Sequence, residues 1–287
     1  MRKEKLEVIE RNIDMTTEDI RERFTQKKYG QIVEMRETKD KDKKRIADRA
    51  YETTSMSSIF DYLLDKYKVI FPQSYFVEFA KKQVRETCRL NGDDSVFDDP
   101  EMEAVIHNRI KRAYMGFLVE LYATLLIKEN MEDYIIMSNR RVDIIKGIDF
   151  FLLSRKTGRI YNIHVTSFRG KDRFIEKKKR RGEDRESFDQ DKYILYDSVR
   201  NHTGTSEIIN TFPFPTLDQI TNSLSEWEKE SNDLSFKHSK LNKYIQQYGG
   251  KWDVILTDKK SEKNKNKMVN TVITFKNYVK KNTPVRN

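Results

Sequence analysis

Cysteine is nearly absent. The 287 residues hold one, Cys88, which excludes an intramolecular disulfide and any cysteine-based zinc site and suits a reducing compartment. Five prolines and ten glycines are few, which fits a compact, helix-rich α/β chain. No apolar run approaches the roughly 18 residues of a membrane span. The opening MRKEKLEVIERN lacks the apolar centre of a signal peptide, so a cytoplasmic location is the expectation. There is no internal repeat, no helix-turn-helix or zinc-finger pattern, and no phosphate-binding GxxxxGK[ST] loop.

What the chain does have is charge and dense apolar blocks. Hydrophobic residues make up 37% and charged residues 36%, and blocks such as FDYLL, FLVELYATLLI and IDFFLL supply a core. The formal net charge of +10 comes from 56 Lys and Arg against 46 Asp and Glu, which makes an anionic polymer a plausible partner. Residues 251–287 hold ten basic and three acidic side chains. A basic tail of this kind supplies sequence-independent attraction to phosphate, or simply solubility.

Periodicity divides the chain. Residues 6–50 are charged with thin apolar periodicity, and RETKDKDKKRIADRA reads as an exposed helix or connector. Between Ser57 and Arg89, Ile59, Tyr62, Leu63 and Tyr67 recur at helical spacing. Pro72 interrupts, and Tyr75, Phe76, Phe79 and Val84 resume, predicting two helices. NGDDSVFDDPE, residues 91–101, is a boundary rich in turn formers. A long helix then runs to about Asn130. Strands are expected at 134–137, 147–153, 159–166, 193–197 and 252–258, with a basic helix over 171–181 and another helix over 216–228. The expected organisation is a helical N-terminal region (1–100), an α/β core (101–258) and a basic C-terminal tail (259–287).

Within the core, the helix KRAYMGFLVELYATLLI places Glu120 among apolar neighbours, an awkward position for a charge. The strand GIDFFLL presents Asp149 at its start, and its partner strand reads IYNIHVTSF. This order of helix, strands, basic helix and strand over residues 112–200 resembles the PD-(D/E)XK phosphodiesterase superfamily. There, a helix glutamate precedes a hairpin whose first strand bears an aspartate and whose second bears an acid or glutamine, one intervening residue and a lysine. The resemblance implies a restriction-endonuclease-like mixed central sheet flanked by helices, and Mg²⁺ or Mn²⁺ at Glu120, Asp149 and His164. His164 falls where the acid or glutamine is expected and Thr166 where the lysine is. An imidazole favours Mn²⁺ more than an all-oxygen site does. Threonine cannot replace an amine, so the lysine role passes to Lys171 or to the helix holding Lys177, Lys178 and Lys179.

The chemistry behind such a set is that phosphodiester oxygens repel hydroxide. Carboxylates therefore gather a hard cation that neutralises the phosphate and acidifies a bound water. Arg169 with KKKRR (Lys177, Lys178, Lys179, Arg180 and Arg181) would contact phosphates without reading sequence. Each residue also has a plainer reading: Glu120 in an ion pair with Arg112 or Arg140, Asp149 capping a turn, His164 structural, KKKRR a solvated face. Asp143 competes with Asp149 as the strand acid.

The function that follows is a metal-dependent nuclease acting on DNA, with RNA open, in restriction, phage defence or mobile-element processing. The helical region would then recognise target, homodimerise or bind a partner. The alternative is a catalytically inactive nuclease-fold protein that binds nucleic acid or assembles with partners, and a third reading is an interaction protein with a basic surface.

Overall fold

The computed structural model describes residues 7–10, 13–25, 35–93, 95–139, 143, 147–154, 160–167, 171, 175–176, 191–196, 214–230 and 251–255. The fold is mixed α/β, and the chain divides into two compact units. Residues 14–121 form a helical unit; residues 1–13 and 122–287 form an α/β unit. The division falls inside one long helix rather than at the turn-rich stretch near residue 100.

In the helical unit, α1 spans Thr17–Thr25, α2 Lys41–Glu52, α3 Met56–Tyr67 and α4 Gln73–Leu90, and α5 starts at Pro100 and continues through Asn130 into the other unit. Local chemistry sets these limits. Asp40 caps α2 by accepting from the N–H groups of Asp42 and Lys43, and Ser55 caps α3 by accepting from Ser58 N–H. Asp99 accepts from Glu101 N–H at 2.8 Å just ahead of Pro100, whose missing N–H costs nothing in a first helical turn. Beyond α4, Gly92 takes a positive φ of 74°, where a side chain would be strained.

The core of this unit is aromatic. Phe60 meets Phe71, Phe76, Tyr114 and Phe117 at ring-centroid distances of 5.2 to 6.1 Å. The buried Tyr114 hydroxyl donates to the Phe71 carbonyl at 2.6 Å, so the ring enters the core without leaving its polar end unsatisfied. Charges lie around this core in pairs: Arg109 forks onto Asp48 at 2.9 and 3.0 Å, and Lys81 meets Glu103 at 2.6 Å. His107 is different. It is buried on α5, and neither ring nitrogen has a hydrogen-bond partner among the described residues. Burial, then the charge of Lys81, holds its pKa below the usual histidine range.

The α/β unit is built on a six-stranded mixed sheet in the order β1-β6-β2-β3-β4-β5. Its strands are β1 Glu7–Glu10, β2 Tyr134–Ser138, β3 Phe150–Ser154, β4 Ile160–Ser167, β5 Asp191–Tyr196 and β6 Lys251–Ile255. β2, β3 and β4 run antiparallel to their neighbours in turn, whereas β4 and β5 are parallel, as are β1 and β6. Runs such as Ile135, Ile136 and Met137, or Phe150, Phe151 and Leu152, are buried on successive residues, the signature of strands covered on both faces. Helix α6, Leu217–Glu230, covers part of one face through Trp227, whose ring lies 6.0 Å from that of Tyr161. Among the described residues no helix is long and apolar enough to cross a membrane.

The expected helices at 57–89, 101–130 and 216–228 and the expected strands from 134 onward all have counterparts here. β1 and α1 have none in the sequence pattern, where residues 6–50 show only thin periodicity. Of the expected basic helix over 171–181, Lys171, Ile175 and Glu176 are described and helical. Arg169, Lys177, Lys178, Lys179, Arg180, Arg181 and the tail 259–287 lie outside the described residues.

Candidate active site

The site is assembled where β3 meets β4. Gly147, with φ 63°, ends a turn in which its N–H donates to the Asp143 carbonyl at 2.7 Å, and the chain then enters β3. Asp149 stands at that entrance and is bonded twice to β4. Its backbone N–H donates to the Ile163 carbonyl at 3.1 Å, and its carboxylate Oδ2 accepts from Val165 N–H at 2.6 Å. The two bonds land on the residues flanking His164. Asp149 therefore brackets His164 from the neighbouring strand, and the pairing comes from the hairpin itself rather than from any flexible loop.

Electrostatics set Asp149 apart. Burial pushes its carboxyl up to about 6; the charge of His164 and the Val165 N–H act in the opposite direction and offset this only in part. A carboxyl perturbed upward beside a charge partner is a candidate for a functional site, although structural networks perturb pKa values as well. His164 is itself buried, at 4% exposure.

The third strand adds a group that the sequence alone did not single out. In the parallel pairing of β4 and β5, His164 is opposite Tyr193. Their rings stack, with centroids 5.1 Å apart and planes 23° from parallel. Over the same tyrosine ring sits the Lys171 ammonium, 5.1 Å from its centroid. From β3 to β5 the order is thus carboxylate, imidazole and phenol ring, with the Lys171 ammonium against the last. Thr166 is two residues beyond His164 on β4, half-buried and on the same face by strand alternation. The cue that could have exposed Tyr193 is the alternation of YILYD, but its partner strand is fixed only by the tertiary pairing.

Glu120 lies on α5 in the helical unit, half-buried. Arg112, one of its two candidate ion-pair partners, instead binds Glu37 at 3.0 Å; Arg140 lies outside the described residues. Asp143 is half-buried at a helical position ahead of Gly147. Among the described residues no three His, Cys, Asp or Glu side chains gather in a way that could hold a metal ion. Asp149 and His164 are therefore the pair that the structure brings together.

No family model, no curated protein and no solved structure matches the chain.

Proposed function

We propose that the chain is a metal-dependent nuclease that hydrolyses phosphodiester bonds in DNA in the cytoplasm, with an α/β unit resembling the restriction-endonuclease-like core of the PD-(D/E)XK superfamily. The observation that carries this reading is Asp149, whose carboxyl is raised to about 6 and accepts from Val165 N–H while its backbone N–H donates to Ile163, one bond on either side of His164. Stability alone gives no reason to keep an acid there.

The donors suit a Mg²⁺ or Mn²⁺ ion in part. Asp149 offers the carboxylate oxygen not taken by Val165 N–H, and His164 offers an imidazole nitrogen. Mg²⁺ commonly takes only one or two protein carboxylates and completes its shell with water and phosphate oxygens. When bound, such a cation would neutralise the phosphate and lower the pKa of an attacking water. The chain's own residues do the positioning. Val165 N–H fixes the Asp149 carboxylate, Tyr193 holds the His164 ring by stacking, and the Lys171 ammonium brings a positive charge to the face on which negative charge develops. Lys171 thereby takes the role that Thr166 cannot fill.

A second reading, an inactive nuclease-fold protein that binds nucleic acid, is favoured by two observations: Thr166 in the lysine position, and no three-ligand group among the described residues. Supercoiled plasmid and single-stranded DNA incubated with purified protein and Mg²⁺ or Mn²⁺ separate the two. The nuclease reading expects metal-dependent nicking that Asp149→Ala removes, that His164→Ala weakens most in Mn²⁺, and that Lys171→Ala lowers without loss of DNA binding. Cleavage that persists undiminished in Asp149→Ala ends this assignment; no cleavage with either metal, alongside salt-sensitive DNA binding, supports the inactive reading. Glu120→Gln, assayed in parallel, tests the helix glutamate that the resemblance implies.

A further inference from the structure

The helical unit carries a chain of aromatic rings on its outside that its own core does not need. Tyr62 on α3 stacks on Phe79 of α4 at 6.2 Å and 25°, and Tyr75 stacks on the same Phe79 ring at 6.4 Å and 28°. Tyr67 meets Tyr75 edge-on at 5.9 Å, and their hydroxyls are 2.8 Å apart. The Lys66 ammonium sits over both Tyr62 and Tyr67, at 5.7 and 5.2 Å. These rings are strongly exposed: 53% for Tyr62 and 40% each for Tyr67 and Tyr75, with Val69 beside them at 38%. The side chains are held in place by one another before any partner arrives, so little rotamer entropy remains to be lost on docking.

We propose that this α3–α4 face is the contact between two copies of the chain. Charge selects this occupant. The helical unit has 20 Lys and Arg against 21 Asp and Glu, so the whole positive excess lies in the α/β unit. Two copies can therefore meet through their helical units without net repulsion. Around the rings both signs occur, with exposed Asp65 and Glu78 among exposed Lys66, Lys68 and Lys82, and Asp65 bridged to Lys68 at 3.7 Å within the chain. In a two-fold contact the same patch faces itself, and a mixed rim of this kind is self-complementary: the lysines of one copy meet the acids of the other. Tyrosine-rich centres with polar rims are the usual composition of protein contacts. Stacking of single-stranded bases on these rings is less well served, because such platforms line a basic groove that follows the phosphates, and this surface is not basic.

The test is the mass of the full chain in solution, by sedimentation or light scattering, from nanomolar to tens of micromolar. A dimer is expected, with Tyr62→Glu/Tyr75→Glu shifting it to monomer by at least tenfold in dissociation constant while helical circular dichroism is unchanged. Both side chains are exposed, and a milder Tyr62→Ser/Tyr75→Ser variant guards against misfolding of the first. Lys66→Glu should weaken the dimer, because it replaces a rim cation that meets an acid of the other copy with a like charge. A monomer throughout the range overturns the proposal, as does a dimer indifferent to these substitutions. A wild-type chain that is monomeric throughout and loses single-stranded oligonucleotide binding in Tyr62→Ser/Tyr75→Ser would overturn it too, by giving the rings to bases. None of these readings depends on cleavage, so the nuclease proposal can fail without touching them.

Discussion

Glu37 in the helical unit and Asp149 in the α/β unit are both partly shielded carboxylates, and their protons are held in opposite ways. Burial on its own would raise Glu37, but Asn108, Lys44 and Arg112 outweigh it and bring its pKa below the usual range. Asn108 Nδ2 donates to Oε1 at 3.1 Å, Lys44 to Oε2 at 3.1 Å and Arg112 to Oε1 at 3.0 Å. Among the described residues Asp149 has one N–H and a neighbouring imidazole, too little to offset its burial. The first carboxylate is part of what holds its unit together. The second, in its charged form, is held at a cost to the fold.

The largest expected effect is on Asp149→Asn. Cleavage should fall by about 100-fold or more, the scale on which losing one element of transition-state charge stabilisation is felt. Stability should move the other way. Because the folded-state pKa is raised from 3.8 to about 6, the carboxyl favours folding fully below pH 3.8 and loses that contribution as pH rises through 6. At pH 8 the amide, which can still accept from Val165 N–H, should therefore raise unfolding free energy by up to about 3 kcal/mol. Urea unfolding of the two proteins at pH 8 checks this, and a variant equally active or less stable would break the contrast with Glu37.

Glu37→Gln sharpens the contrast from the other side. Its lowered pKa contributes stability above the unfolded value of about 4.3, and that contribution is lost as pH falls through the folded pKa. The substitution should cost about 1–3 kcal/mol at neutral pH, as for hydrogen bonds to a charged group. The cost should shrink in acid, with cleavage untouched. Thermal melts of wild type and variant at pH 7 and pH 4 would show it.

A smaller effect is expected at His107. Its depressed pKa means that the folded state holds it neutral while the unfolded chain takes up a proton below about 6.5. Stability of the helical unit should accordingly decline as pH drops through that value, until the folded pKa is reached. His107→Leu should remove this part of the acid sensitivity, read as a flatter dependence of melting temperature on pH between 7 and 5.

The smallest effect on the chemistry should come from removing residues 259–287. Nine Lys and Arg and one Glu go with them, so DNA affinity should fall. Its logarithm should also depend less steeply on salt concentration, by about 0.9 for each phosphate that the tail no longer neutralises. Cleavage by the truncated chain should persist once DNA is saturating. A salt dependence that does not change would place DNA attraction elsewhere in the α/β unit.

Helices were legible because their apolar positions recur in α3, α4 and α6; the caps at Asp40, Ser55 and Asp99 became apparent only in the structure. The hairpin of β3 and β4 was legible as well, and with it the nearness of Asp149 and His164. β1 was not: EVIE sits between charged residues, and its strand partner, β6, lies near the other end of the sequence. Tyr193 and its contact with Lys171 depend on β4 and β5 pairing in parallel across an intervening stretch, so no local pattern marks them. Nor could composition separate a neutral helical unit from a strongly basic α/β unit until the boundary at residue 121 was drawn through a continuous helix.

The 2.6 Å bond from Val165 N–H to Asp149 Oδ2 puts a side chain where a sheet would otherwise place a backbone rung. That amide proton is therefore a built-in spectroscopic probe. Its chemical shift in a nitrogen-edited spectrum should follow the ionisation of one carboxylate, with an inflection near pH 6. The same signal should respond when a cation or a phosphate-bearing ligand engages that oxygen pair. Occupancy of the candidate site can thus be followed in the resting protein, residue by residue, without waiting for a bond to be cut.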